Sequence, residues 1–216
     1  MLQCPSCARQ QEPRLICSQC GVPLTADLDL FAALGLPRLL QIDIAGLEGA
    51  YHDLGRRIHP DRFASASPEL RDTSLRATAL VTRAYRTLRD PVSRGLYWLE
   101  LHGHKLAENN KQVPPDLAEL VFEVQEQLSE LRSAREEGGS GAREGMIELS
   151  AKRASLQGLM DELYAELVEN FAEFDSGGGP DPGQHFAELK TILSKIAYLK
   201  TLLRDIDREL DVEKPE

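Results

Sequence analysis

The sequence has few cysteines, few aromatic residues and no long apolar run. Its 216 residues include four cysteines, all within the first twenty positions, and aromatic residues make up 6% of the chain. No stretch approaches the roughly 18 consecutive apolar residues of a membrane span, and the first twenty residues lack the apolar core of a secretory signal. We therefore expect a soluble, cytoplasmic protein with no membrane partner.

The chain also lacks an excess of basic residues. Its formal net charge of -10 argues against binding to nucleic acid, because Lys and Arg supply the affinity for phosphate backbones. The charge is uneven: residues 1–107 contain 13 basic and 11 acidic residues, a net of +2, whereas residues 108–216 contain 12 and 24, a net of -12. Such an asymmetry predicts two domains with different partners.

The fold class follows from the hydrophobic pattern. Hydrophobic residues make up 42% of the chain, enough for a buried core. Helical periodicity dominates after about residue 28, and the alternating β-branched runs typical of strands are absent. The sequence therefore predicts an all-α protein with three parts: a metal-binding segment at 1–25, a helical hairpin domain at 26–107 and a C-terminal three-helix bundle at 108–216.

Cap and break signals predict the helices. In the middle part, helices are expected at 29–34, Asp43 to Ile58, Pro68 to Leu88 and 92–102. In the acidic part, longer helices are expected at 115–135, 144–174 and 183–211. Glycine-rich linkers at 136–141 and 176–183 separate them. Short connections between amphipathic helices favour an antiparallel bundle.

The four cysteines form two pairs of the Cys-x-x-Cys type. Two such pairs supply four thiolates for a tetrahedral ion, which would stabilise a segment too short to build an apolar core. We predict a structural zinc ion bound by Cys4, Cys7, Cys17 and Cys20. The spacing leaves open an iron ion in the same place, or a redox-active dithiol.

A His-Pro-Asp tripeptide follows the second predicted helix. Taken singly, a histidine at a helix end is more often a cap than a functional group. Here His59, Pro60 and Asp61 lie among basic residues, between two amphipathic helices. This arrangement resembles a J-domain, whose His-Pro-Asp loop engages a DnaK-class chaperone.

Four segments make the resemblance more specific. They are similar to the HscB family of iron–sulfur cluster assembly co-chaperones and lie at 29–36, 59–63, 84–91 and 94–103. The resemblance implies a co-chaperone that is not itself an enzyme. It would stimulate the ATPase of an HscA-like chaperone and deliver the cluster scaffold IscU. The implied chaperone-binding residues are Arg56, Arg57, His59, Pro60, Asp61 and Arg62. Arg62 stands where lysine is common, which keeps the charge.

An aromatic residue lies among carboxylates on the first predicted bundle helix. The core stripe is expected at Leu117, Val121, Val124, Leu128 and Leu131. Helical geometry then places Phe122 at the edge of the opposite, acidic face. On the last helix, Tyr198 projects away from a core stripe at Leu189, Ile192, Ile196, Leu199, Leu203, Ile206 and Leu210.

The resemblance implies that these exposed groups bind IscU. The implied scaffold-binding residues are Phe122, Glu123, Glu126, Glu130 and Tyr198. Ala118 and Glu119 stand where the family has larger apolar residues, which implies a smaller apolar contact. The alternative is an acidic face that serves solubility alone.

Three function classes therefore remain. The leading hypothesis is a non-enzymatic adaptor between a chaperone and the cluster scaffold. A J-domain adaptor for another client and a Cys-x-x-Cys thiol redox protein are the alternatives. No phosphate-binding GxxxxGK[ST] motif is present, so we expect no nucleotide site on this chain. The sequence leaves self-association open.

Overall fold

The structure, a computed structural model, describes residues 1–106, 113–137, 141–177 and 182–211. It confirms the all-α prediction, and the chain divides into two compact units, Met1–Trp98 and Leu99–Glu216. The predicted boundary between residues 107 and 108 lies outside the described residues. Within the described ranges, no helix combines the length and the apolar character that a membrane crossing requires.

The N-terminal segment is a small hairpin structure. Strands β1 (Leu2–Gln3) and β2 (Gln10–Gln11) pair in antiparallel fashion, and an isolated bridge joins Ile16 to Pro23. The sequence pattern does not predict these strands, because two-residue strands carry no alternating pattern. They form where each cysteine pair turns the chain back on itself.

Four helices follow in chain order: α1 (Leu30–Ala33), α2 (Ile44–Ile58), α3 (Pro68–Arg89) and α4 (Pro91–Leu101). The side chain of Asp43 caps α2 and that of Ser67 caps α3 by accepting backbone N–H groups. A 3-10 turn at Pro60–Phe63 connects these two helices. They pack as a hairpin, with buried side chains at Leu47, Ile58, Ala77, Val81, Ala84 and Leu88.

The second unit contains three long helices. They are α5 (Ala118–Glu136), preceded by a 3-10 turn at Pro115–Leu117, α6 (Gly141–Ser176) and α7 (Pro182–Asp211). Helix α6 contacts both α5 and α7 and runs antiparallel to them, because residues later in α6 meet earlier residues of each neighbour. Half of each predicted linker, residues 138–140 of 136–141 and 178–181 of 176–183, lies outside the described residues, and helix bounds extend into the described ends of both linkers.

The bundle core follows the predicted stripes with local differences. On α5 the predicted core residues are buried apart from Val121, which is partly exposed. On α7, Leu203 and Leu210 are partly exposed, whereas Leu193 and Leu202 are buried. Because α7 contacts α5 as well as α6, its buried face is wider than a single stripe.

Candidate functional site

The four cysteine sulfurs lie together in the N-terminal segment. All four lie within 4.8 Å of one another, with 3.6 Å between Cys4 and Cys20 and 3.7 Å between Cys7 and Cys17. Sulfurs about 2.3 Å from a tetrahedral ion are about 3.8 Å apart. A disulfide would bring two sulfurs to about 2.05 Å, and all four cysteines are free. These residues could therefore hold one metal ion.

The two cysteine loops share one backbone pattern. The N–H of Ala8 donates to the Cys4 carbonyl at 2.9 Å, and the N–H of Gly21 donates to the Cys17 carbonyl at 3.0 Å. Both donors follow a cysteine pair and have positive φ angles, 56° for Ala8 and 76° for Gly21. The segment is thus built from two similar turns that bring their sulfurs to one point.

The thiols differ in acidity. Backbone N–H groups of Cys20 and Gln19 lower the pKa of Cys17 to about 6. Although the backbone of Arg9 acts in the opposite direction, burial and the neighbouring thiols raise the pKa of Cys7 to about 12. Four sulfurs this close cannot all ionise without a compensating cation, and a bound metal ion would supply that charge.

Gln11 connects the two loops from inside the segment. Its side chain is buried, and its Oε1 accepts the N–H of Ser18 at 3.1 Å and the Ser18 hydroxyl at 2.8 Å. At the surface, the Arg9 guanidinium donates to Oε1 of Gln19 at 2.9 Å. These contacts hold the second loop beside the first. Sequence reasoning missed Gln11, because a glutamine carries no sign that it will be buried.

The His-Pro-Asp tripeptide forms the start of the turn between α2 and α3. Helix α2 ends at Ile58, and Pro60 begins the 3-10 turn. The N–H of Asp61 donates to Nδ1 of His59 at 3.3 Å, so the neutral ring carries its proton on Nε2. The His59 side chain is 56% exposed and that of Asp61 is 91% exposed. The turn therefore exposes both groups to solvent.

A basic surface lies beside this turn. A shallow depression there is lined by Tyr51, His52, Gly55, Arg56, His59 and Arg62. The structure thus brings two of the three predicted arginines next to His59, while Arg57 does not line the depression. Asp53 lies 3.8 Å from Arg56 and 3.4 Å from Arg57, in exposed pairs that are weak.

An aromatic stack supports the depression. The Tyr51 ring stacks on Tyr85 of α3 with 4.3 Å between centroids and 15° between planes. The Arg89 guanidinium lies 5.7 Å from the Tyr85 centroid. The contact between the two tyrosines depends on how the two helices cross, which the sequence does not show. The stack holds α2 against α3 next to the exposed cations.

The predicted scaffold surface lies on α5. Phe122 is 68% exposed, and Glu126 and Glu130 are exposed on the same helix. Glu123 is also exposed but forms an ion pair with Lys152 of α6. Sequence reasoning missed this partner, because the register between α5 and α6 is not visible in the sequence.

Tyr198 lies on α7, partly buried. An ion pair joins Lys195 of α7 to Asp116, in the 3-10 turn that precedes α5, and so gives the position of α7 relative to α5 along the bundle axis. Tyr198 follows Lys195 by three residues and Phe122 follows Asp116 by six. At 1.5 Å per residue in parallel helices, the two aromatic residues differ by about 5 Å along the bundle axis. They therefore lie at nearly the same level of the bundle.

The chain resembles known proteins over most of its length. The human protein named iron–sulfur cluster co-chaperone protein HscB is 29% identical over 196 residues, which cover 89% of this chain and 74% of the human protein. The crystal structure of human co-chaperone protein HscB matches with a TM-score of 0.70 and 28% identity, covering 96% of this chain and 98% of that one. The chain is therefore similar to HscB co-chaperones over most of its length.

A bacterial relative shares the HscB fold. Chaperone HscB from Vibrio cholerae matches with a TM-score of 0.61 and 23% identity, covering 86% of this chain and 99% of that chain. No protein-family model matches the chain. On this fold the chain carries three distinct groups: the cysteine cluster, the exposed His-Pro-Asp turn and the acidic helix with its exposed aromatic residue.

Proposed function

We propose that this chain is a co-chaperone of iron–sulfur cluster assembly. The observation that carries the proposal is the presence of two separate exposed surfaces on an HscB fold. One contains the His-Pro-Asp turn, and the other contains Phe122. The human relative is named as an iron–sulfur cluster co-chaperone. An adaptor needs two such surfaces, and here they lie on different compact units.

The first surface contacts a DnaK-class, HscA-like chaperone and stimulates its ATPase. His59 and Asp61 are the exposed groups of the turn, and Pro60 fixes the backbone between them. The neighbouring cations, Arg56, Arg57 and Arg62, meet an acidic chaperone surface. Complementary charge of this kind raises the rate of encounter and fixes orientation more than it adds affinity.

The second surface binds the cluster scaffold IscU. Phe122 is the anchor, since an aromatic ring that is 68% exposed gains free energy when a partner buries it. Tyr198, at nearly the same level of the bundle, contributes a second aromatic edge. Glu123, Glu126 and Glu130 orient a basic partner, with Glu123 held in place by Lys152.

The cysteine cluster binds a structural zinc ion. Cys4, Cys7, Cys17 and Cys20 would be its ligands, and the ion would supply folding free energy to a segment with few buried side chains. In this proposal residues 1–25 form the metal segment, 26–107 the J-domain and 108–216 the scaffold-binding bundle. A zinc content of one ion per chain after purification without chelator would exclude the thiol redox alternative.

The decisive experiment measures ATP turnover by a purified DnaK-class chaperone. The chain is added alone, the scaffold alone, and both together. We expect the two together to stimulate more than the sum of their separate effects, because the chain delivers the scaffold. Stimulation without this synergy would indicate a J-domain adaptor for another client, and no stimulation at all would refute the proposal.

Variants separate the two surfaces. His59→Gln and Asp61→Asn should abolish stimulation, whereas Asp72→Asn, which removes an exposed α3 carboxylate paired with Arg76, should leave it unchanged. The double variant Phe122→Ala/Tyr198→Ala should weaken scaffold binding by about thirtyfold, the value of one interface anchor, and spare stimulation by the chain alone. Ile147→Ala, another exposed apolar residue of the bundle, is the matched control.

A further inference from the structure

Ile58 is the last residue of α2, and its backbone carbonyl accepts a hydrogen bond from a side chain of another helix. In a continuing helix it would accept the N–H of Arg62, but that N–H donates to the His59 carbonyl at 3.0 Å. Ile58 is fully buried, so water cannot replace the lost bond. The hydroxyl of Ser74 on α3 donates to this carbonyl instead, at 2.6 Å.

Ser74 differs from other hydroxyl residues of α3. Thr73 donates to the Glu69 carbonyl and Thr82 to the Thr78 carbonyl, each four residues earlier in the same helix. This local bond is the usual one for a helical hydroxyl. Ser74 has no exposed surface, and its hydroxyl instead donates to a carbonyl of another helix, that of Ile58 in α2, the residue before His59.

We propose that Ser74 is a positioning residue for the His-Pro-Asp turn. By holding the Ile58 carbonyl, its hydroxyl fixes the point and direction in which the chain leaves α2. That direction determines where His59 and Asp61 are presented. Thr78 supports the same carbonyl from 3.5 Å, although its shorter bond, at 2.9 Å, goes to the Ser74 carbonyl. The inference rests on the proposed function, because it assigns Ser74 a part in chaperone stimulation.

The test replaces Ser74 by alanine in the full chain. Loss of one buried hydrogen bond corresponds to about a fivefold to tenfold change in a conformational equilibrium, so we expect maximal ATPase stimulation to fall by about that factor. The concentration for half-maximal stimulation should stay unchanged, because the arginines of α2 are not altered. Ser74→Cys, with a similar size and a weaker donor, should give an intermediate loss.

A second measurement needs no chaperone. The N–H groups of Asp61 and Arg62 bond to His59, so their hydrogen exchange reports the order of the turn. Exchange should become faster by a similar factor in Ser74→Ala and stay unchanged in Thr82→Val. Circular dichroism establishes that each variant is folded.

The outcomes are distinct. Unchanged exchange in Ser74→Ala would overturn the inference, and so would faster exchange with full stimulation, since Ser74 would then stabilise the turn without affecting its function. If the unaltered chain fails to stimulate any DnaK-class chaperone, the proposed function is wrong. The exchange measurement still decides whether Ser74 orders the turn.

Discussion

Ala8 and Gly21 occupy equivalent places in the two cysteine loops, and both have positive φ angles. A residue with a Cβ atom pays about 1–2 kcal/mol in this conformation, whereas glycine does not. No atom lies within 4 Å of a Cβ added at Gly21, so a substitution there tests the backbone alone. We expect Gly21→Ala to weaken metal binding about tenfold and Ala8→Gly to strengthen it by a few-fold, because folding and metal binding are coupled here.

Competition with a chromogenic chelator measures both affinities. Gly49→Ala serves as the control, since this exposed glycine of α2 also has no atom near an added Cβ but has no positive φ angle. It should leave metal binding unchanged. If Gly21→Ala bound the metal with the same affinity as the original chain, the positive φ angle at this position would not require glycine.

The sequence predicts the contacts of single residues well only where the contacting residues are close together in the chain. The cysteine pairs and the His-Pro-Asp tripeptide are contiguous motifs, and a turn of a few residues fixes their geometry. Ser74 and Ile58 are 16 residues apart and meet because two helices cross. The same holds for Glu123 and Lys152, 29 residues apart. Periodicity assigns a face to each residue but not its partner on another helix.

Among the helices, α5 and α7 are joined by an ion pair that is largely removed from solvent. The carboxylate of Glu209 is 11% exposed and contacts Arg135, which is 18% exposed, and the more exposed Arg132. Arg135 also donates to the Glu209 backbone carbonyl at 3.0 Å. Removing one partner of a buried pair leaves an uncompensated charge, so we expect Glu209→Gln to lower the free energy of unfolding by about 3 kcal/mol.

A second ion pair on α7 provides the comparison. Arg153 and Asp207 join α6 to α7, and both side chains are 44% exposed. Solvent screens such a pair, so Asp207→Asn should cost less than about 1 kcal/mol. Urea unfolding followed by far-ultraviolet circular dichroism measures both variants. Equal losses would mean that burial does not set the strength of the Glu209 contact.

The sequence predicts where helices begin and end better than it predicts which of their residues are buried. The helix ends agree within about three residues, because proline, glycine and cap residues act locally. The prediction of the buried face of α7 is less accurate, because Leu202 is buried in place of Leu203. A helix that touches two neighbours buries residues on both sides of its stripe, and one sequence does not state how many neighbours a helix has.

For the whole molecule, the distribution of charge matters more than the total of -10. The near-neutral half exposes arginines beside the His-Pro-Asp turn, while the surplus of carboxylates lies on the bundle. In the proposed function, an acidic chaperone surface would therefore be attracted to one unit and repelled by the other. A basic scaffold surface would have the opposite preference. On this proposal one chain would bind both partners without competition between them, which is the arrangement that an adaptor requires.

The metal segment has a small core of its own. Cys4, Cys17 and Leu24 are buried together, with Leu2 and Val22 packed against them. Such a cluster is too small to fold unaided, so with the proposed metal site its stability would depend on the ion. The helices of both units have separate buried cores of leucine, isoleucine and valine. We therefore expect their stability not to require the ion.

Removing the metal should therefore unfold one part of the molecule and spare the rest. With a strong chelator under reducing conditions, all four cysteines should become reactive toward a thiol reagent, and the backbone signals of residues 1–25 should lose their dispersion in a nuclear magnetic resonance spectrum. Helical circular dichroism should change little, because residues 1–25 contain no helix.

Substituting serine for Cys4 and Cys17 should have the same effect without chelator. A large loss of helical signal would instead mean that the metal segment supports the folding of the helical units.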